Sequence, residues 1–186
     1  MAIEAELKAV VQDPEDVMAR LEAAYGPGRP QVYQDTYYDD PAGQLMGGDR
    51  ELRIRTMHSA DDTRTVLTYK GARVDEASGS KPEHETRVED AAAAHEIVRG
   101  LGYVPRIAFE KRCRNYAFQH DGRELLATLV RVPELDATFI ELETLAKAEE
   151  DLPAALTVVR SLLVSLGVSE SDLTTELYTD AVAAVR

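Results

Sequence analysis

Cysteine occurs once in the 186 residues, at Cys113, which excludes an intrachain disulfide framework and any zinc site built on several cysteines. Basic residues are also scarce. Lys and Arg number 21 against 34 Asp and Glu, a formal net charge of −13. So acidic a surface repels nucleic acid and anionic membranes, and neither is an expected partner. No apolar run has membrane-spanning length, and no basic end followed by an apolar stretch marks a signal peptide. The expectation is a soluble, cytoplasmic protein. Low-complexity tracts, internal repeats and linkers are missing too. With 44% apolar residues, the chain is expected to fold as one domain over residues 1–186.

Period-two patterning and turn residues predict eight strands, near 3–8, 32–39, 51–57, 63–70, 81–88, 108–118, 125–132 and 138–144. Helices are expected from Asp13-Pro14 to about Ala24, from Asp90 to Leu101, over 152–166, and over 171–185. This order lacks the strand–helix alternation of a parallel sheet. It fits an α+β fold in which eight antiparallel strands close into a β-barrel flanked by helices.

Charge falls in rows along these strands. Glu4, Glu6 and Lys8 share one face, as do Arg53 with Arg55, and Glu141 with Glu143; Lys81, Glu83, Glu85 and Arg87 form a fourth row. One such row is ordinarily a solvated face. If helices cover the outside of a barrel, however, all the rows point inward, where charges must pair or bind ions. A cavity lined by both signs suits an anionic substrate chelated by metal. Arg53 and Arg55 can grip phosphate bidentately, while Lys8, Lys70 and Lys111 act as point charges. The carboxylates suit Mg²⁺ or Mn²⁺.

These residues resemble the CYTH superfamily, the triphosphate tunnel enzymes, which includes class IV adenylate cyclases and thiamine triphosphatases. Its E-x-E-x-K strand is matched by Glu4, Glu6 and Lys8. Asp35-Thr36-Tyr37-Tyr38-Asp39, Glu51-Leu52-Arg53-Ile54-Arg55, Thr68-Tyr69-Lys70-Gly71, Lys81-x-Glu83-x-Glu85, the Lys111 strand and Phe139-Ile140-Glu141-Leu142-Glu143 follow in order. The resemblance runs from Ile3 to about Tyr178. It implies a triphosphate held on Lys8, Arg53, Arg55, Lys70, Lys81 and Lys111, with Lys8, Arg53, Arg55 and Lys70 as candidate catalytic residues. It also implies Mg²⁺ or Mn²⁺ on some of Glu4, Glu6, Glu83, Glu85, Glu141 and Glu143. Two positions depart from the family pattern. Its K-x-R reads Lys111-Arg112-Cys113, and its L-D-x-V reads Leu129-Val130-Arg131-Val132. The resemblance implies either a paired loss of an inward cation and an inward anion, leaving no orphan charge, or a weakened catalysis or a change in which phosphate is attacked.

Three functions follow from the resemblance. A cyclase converting ATP to cyclic AMP and pyrophosphate stands first. A triphosphatase acting on inorganic triphosphate, thiamine triphosphate or a nucleotide is the alternative, and a non-catalytic triphosphate- or polyphosphate-binding module the third. A homodimer is compatible with such a barrel. Cys113 reads as a buried thiol rather than a nucleophile, and His58, His84, His95 and His120 lack metal-ligand spacing. Tyr33, Tyr37 and Tyr38 are candidates for either packing or base stacking. The loop 71–81 is either a lid or a plain hairpin connection.

Overall fold

A computed structural model describes residues 3–186. Its strands are β1 (Ile3–Val10), β2 (Arg29–Asp39), β3 (Glu51–His58), β4 (Thr63–Lys70), β5 (Lys81–Val88), β6 (Val104–His120), β7 (Arg123–Arg131) and β8 (Thr138–Ala146). The helices are α1 (Pro14–Tyr25), α2 (Gln44–Gly47), α3 (Ala91–Gly100), α4 (Leu152–Ser165) and α5 (Tyr178–Val185). All eight strands join in one closed antiparallel barrel, in the order β1-β5-β4-β3-β2-β6-β7-β8.

The barrel is built with its apolar faces outward. Ile3, Ala5, Leu7 and Ala9 of β1 are buried on its outside, as are Ile140 and Leu142 of β8. Helix α4 lays Leu152, Ala155, Val159 and Leu163 on these faces. Val17 and Leu21 of α1 join the same layer, and Ala94 and Val98 of α3 cover Ile54 and Tyr38. The alternate positions, bearing the charge rows, are thereby turned inward.

Local chemistry places the helices. The Asp13 carboxylate caps α1 through the Asp16 amide at 3.1 Å, and Asp90 caps α3 through the Ala93 amide at 3.0 Å. Helix α2 was not expected. Asp39 organises it by accepting from the Leu45 and Met46 amides at 2.8 and 3.0 Å.

The wall has one short seam. β1 pairs with β8 over eight residues but with β5 only at Ile3–Pro82 and Glu4–Lys81. The C-terminal segment lies against β1 beyond that point. The helix expected over 171–185 is accordingly divided. Glu170–Asp172 form a 3₁₀ turn, the chain then runs extended, and only Tyr178–Val185 is α-helical. The extended part is drawn to β1 by an Ala9–Leu173 bridge and by the Thr174 amide donating to the Lys8 carbonyl at 2.9 Å. Tyr178 and Val182 of α5 then pack on Val130, Val132 and Phe139. Among the described residues, no helix is long and apolar enough to cross a membrane.

Candidate active site

All twelve side chains expected at the site line one cavity of about 220 Å³ inside the barrel. Glu4, Glu6 and Lys8 come from β1, Arg53 and Arg55 from β3, and Lys70 from β4. Lys81, Glu83 and Glu85 come from β5, Lys111 from β6, and Glu141 and Glu143 from β8. Arg87 continues the β5 row but is exposed and does not reach the cavity. Arg112 and Arg114 point outward, the first paired with Glu110 at 3.0 Å and the second with Glu22 of α1 at 3.3 Å.

Partners divide the cations. Arg55 grips Asp35 with two contacts of 2.7 Å. Lys70 bonds Glu4 and lies 3.0 Å from Glu83, and Lys111 lies 3.2 Å from Glu141. Lys81 reaches Glu51 at 2.7 Å and both the carbonyl and carboxylate of Asp49 at 3.0 Å, so each ammonium proton has an acceptor. Among the described residues, Lys8, Arg53 and Arg64 have no ion-pair partner. The Lys8 ammonium donates to the Glu176 carbonyl and sits 4.3 Å from the Tyr178 ring centre. Arg53 reaches Thr68 at 3.3 Å through one nitrogen, while its buried Nε has no acceptor.

The carboxylates divide too. One oxygen from each of Glu4, Glu6 and Glu143 falls within 4.8 Å of the others. Glu6 and Glu143 have no cationic partner among the described residues. Burial, reinforced by Glu141 and Glu4, pushes the Glu6 carboxyl up to about 7. Burial together with Glu4 and Glu6 raises Glu143 well above the usual range. Glu141 goes the other way. Burial opposes its charge, but Lys111 and Lys8 outweigh that and hold it at about 2. Glu6 and Glu143 are clustered, buried and without a counter-cation, and Glu4, though bonded to Lys70, places an oxygen beside both; such an oxygen set fits Mg²⁺ or Mn²⁺. Glu83 and Glu141 are committed to lysines, and Glu85 accepts from Thr68 at 3.0 Å.

Cys113 and Val130 are direct register partners, 5% and 0% exposed. With Tyr33, Met57, Val66, Phe139, Tyr178 and Val182 they make an apolar inner half of the barrel beside the charged half. Burial pushes the Cys113 thiol up to about 12, as its reading as an inert residue requires.

The aromatic and histidine expectations separate cleanly. Tyr33 and Tyr37 line the cavity, while Tyr38 packs outside the barrel with its hydroxyl 2.6 Å from His95 Nδ1. His84 lies against Tyr69, and His58 bonds Thr63 and Gln34. The 71–81 loop is an ordered rim element. Arg73 clasps Asp49 at 2.7 and 2.8 Å, Asp75 accepts from Ser78, and Ser78, Gly79 and Ser80 face the cavity. Gly79 has φ +76°, and a Cβ there would sit 3.8 Å from Thr175.

Sequence reasoning missed four contributors. Glu51 shares the inward parity of Arg53 and Arg55, so its signal was present. Asp35 alternates with Tyr33 and Tyr37 and was equally legible. Arg64 shares the parity of Lys70, and at the rim it meets only the Met57 sulfur, at 3.8 Å. Tyr178 comes from α5, and no strand pattern announces it.

A closed antiparallel barrel whose chamber is lined by charges of both signs defines the class of fold. The family model of the CYTH domain matches residues 2–178, and the chain belongs to that family. It is 25% identical to the protein named putative adenylate cyclase MJ0240 from Methanocaldococcus jannaschii, over 95% of this chain and 96% of the relative. The structure of PH1819 protein from Pyrococcus horikoshii OT3 superimposes with a TM-score of 0.84 at 26% identity, covering 98% of this chain and 99% of that one. The putative adenylyl cyclase HpAC1 from Hippeastrum, described as having a dominant triphosphatase activity, shares the fold with a TM-score of 0.67 at 16% identity, over 99% and 96% of the two chains.

Proposed function

We propose that the chain is a metal-dependent hydrolase that cleaves a triphosphate inside the barrel. The observation that carries this reading is the Glu4–Glu6–Glu143 cluster facing the same cavity as Lys8 and Arg53, the two deep cations without ion-pair partners. Eight cationic and seven carboxylate side chains line the cavity, so its own charge is nearly balanced. A triphosphate adds several negative charges, and a divalent cation on the three glutamates would offset them. That cation would supply charge neutralisation and polarise a water for attack.

The protein's own groups do the rest. Lys8 and Arg53 bind phosphoryl oxygens directly, the Arg53 Nε gaining the acceptor it lacks. Lys70, Arg55 and Lys111 are oriented by Glu4, Asp35 and Glu141, and they add positive potential where charge develops on the leaving phosphate. Lys81 ties β5 to the start of β3 and holds the wall in place.

Hydrolysis is favoured over cyclisation by the aromatic groups. The Tyr33 ring lies against the Arg55 guanidinium at 4.5 Å, Tyr37 stacks on Phe109 at 5.7 Å, and Tyr178 meets two lysines. Each of these rings is already engaged by a protein group, which weighs against its serving as an adenine platform. The two activities named among the relatives are the reactions to be separated. ATP, inorganic triphosphate and thiamine triphosphate should each be incubated with Mg²⁺ or Mn²⁺. Orthophosphate release is expected. Cyclic AMP with pyrophosphate from ATP would replace this reading by the cyclase, and tight binding without turnover would replace it by the binding module.

A further inference from the structure

Two buried hydrogen-bond donors on the cavity wall lack a well-placed acceptor among the described residues: Nε of Arg53, and the hydroxyl of Tyr178, whose neighbouring carboxylate, Glu141, is held by Lys111. Buried donors are almost always satisfied, and one left open inside a cavity marks where a ligand supplies the acceptor. Arg53 lies on a strand whose charge pattern already points to anion binding. Tyr178 does not. It belongs to the C-terminal segment, outside the eight strands.

The position of Tyr178 is fixed from several sides. Leu173 bridges to Ala9, and the Thr174 amide donates to the Lys8 carbonyl at 2.9 Å. The Lys8 ammonium in turn donates to the Glu176 carbonyl. Beyond Tyr178, Val182 is buried in the apolar inner half, and Arg186 bonds the Ala108 carbonyl at 2.9 Å and Glu134 at 2.5 Å. The Tyr178 ring carries the Lys8 ammonium 4.3 Å and the Lys111 ammonium 4.0 Å from its centre, and meets Phe139 edge-on at 5.2 Å. The Tyr178 ring is thus a common contact for both ammonium groups. The segment also fills the place where β5 leaves β1, so a wall that the barrel itself lacks is supplied from the C-terminus.

We propose that Tyr178 is a substrate-binding residue, its hydroxyl donating to a phosphoryl oxygen while its ring aims Lys8 and Lys111 at the same phosphate. This inference rests on the triphosphate reading above and adds that the site is incomplete without the C-terminal segment. Burial, reinforced by the neighbouring Glu141 carboxylate, raises the Tyr178 pKa well above the phenol range, so the hydroxyl keeps its proton. Unlike Tyr116, whose hydroxyl lies in the outer core, Tyr178 turns its hydroxyl side to the cavity. Here the aromatic ring alone satisfies the packing.

The test compares Tyr178→Phe with Tyr116→Phe. Tyr116 also has a buried, unpartnered hydroxyl, but it lies in the outer cluster under α1. The probe is imidotriphosphate with Mg²⁺, titrated by calorimetry, alongside the melting temperature of each variant. Tyr178→Phe should melt as the wild type does and bind the probe about tenfold more weakly, the loss expected for one hydrogen bond to a charged group. Tyr178→Leu, which also removes the ring, should bind more weakly still. Tyr116→Phe should bind as the wild type does. Wild-type binding by Tyr178→Phe overturns the proposal, as does a lowered melting temperature with unchanged affinity. Failure of the wild type itself to bind imidotriphosphate with Mg²⁺ overturns the triphosphate reading, and this inference with it.

Discussion

Glu6 and Glu143 stand directly opposite one another on β1 and β8, both inside the barrel and neither with a cation of its own. Like charges at directly opposed positions destabilise a sheet, and burial adds to the penalty. A proton or a divalent cation relieves both, and the two compete for the same oxygens.

That competition sets the pH behaviour of the metal-free protein. The Glu6 carboxyl stands at about 7 when folded, above its ordinary 4.5, so the folded state binds this proton more tightly. The stability it contributes is complete below 4.5 and is lost as pH rises through 7. Glu141, held at about 2, contributes in the opposite sense: its stabilisation is present above 4.5 and lost as pH falls toward 2. Thermal melts without metal should therefore show falling stability between pH 4.5 and 7. Mg²⁺ at about a hundred times its dissociation constant should add about 2.7 kcal/mol above that window. Calorimetry in buffers of different ionisation enthalpy should register proton release on binding below pH 7. A Mg²⁺ response that strengthens as pH falls would refute the assignment.

The Asp35–Arg55 pair is bidentate and nearly sealed from solvent, with side-chain exposures of 0% and 14%. Asp35→Asn leaves the Arg55 charge buried without its counter-ion. Urea unfolding should show a loss of about 3–5 kcal/mol. A loss below about 1 kcal/mol would mean that Arg55 re-pairs within the cavity.

Lys81 and Lys8 should separate structure from binding. Lys81→Met leaves the part-buried Glu51 without its ion-pair partner, while Asp49 keeps Arg73, and should lower stability by about 3 kcal/mol while weakening triphosphate binding less than about tenfold. Lys8→Met removes an ammonium held only by a carbonyl and a ring, so affinity should fall more than about tenfold with little change in stability. Denaturant curves beside calorimetric titrations read both quantities, and the reverse pattern would exchange the two roles.

Cys113 and Val130 should behave as a coupled pair. Val130→Asp and Cys113→Arg each bury an unpaired charge and should each destabilise by about 3 kcal/mol or more. The double variant should recover about 1 kcal/mol or more relative to the sum. Strict additivity would show that the two replacements are independent. The native thiol, pushed up to about 12 by burial, should resist thiol reagents at neutral pH until the protein unfolds.

Much of this architecture was legible because the barrel is charged inside and apolar outside. Charge alternation along β1, β3, β5 and β8 marked strands and site together, so the twelve expected side chains converge on one cavity. The losses came where distant contacts decide structure. Leu173–Leu177 run extended because β1 offers main-chain partners where β5 departs, and helical periodicity carries no record of that edge. Helix α2 is four residues long and exists through Asp39, which is a single-residue signal. β2 begins at Arg29 rather than 32 because the long β6 extends the ladder to Asn115. Asp35 and Glu51 carried the right parity, but their partners Arg55 and Lys81 identify their role only through space.

The central claim is that Glu4, Glu6 and Glu143 together hold the divalent cation that carries the triphosphate. Crystals grown with Mn²⁺ and imidotriphosphate, measured for anomalous scattering, test it most directly. An anomalous peak bonded to carboxylate oxygens of all three residues and to a phosphoryl oxygen is expected. A peak on Glu83, Glu85 and Glu141 instead, or phosphate density with no metal bound, would contradict it.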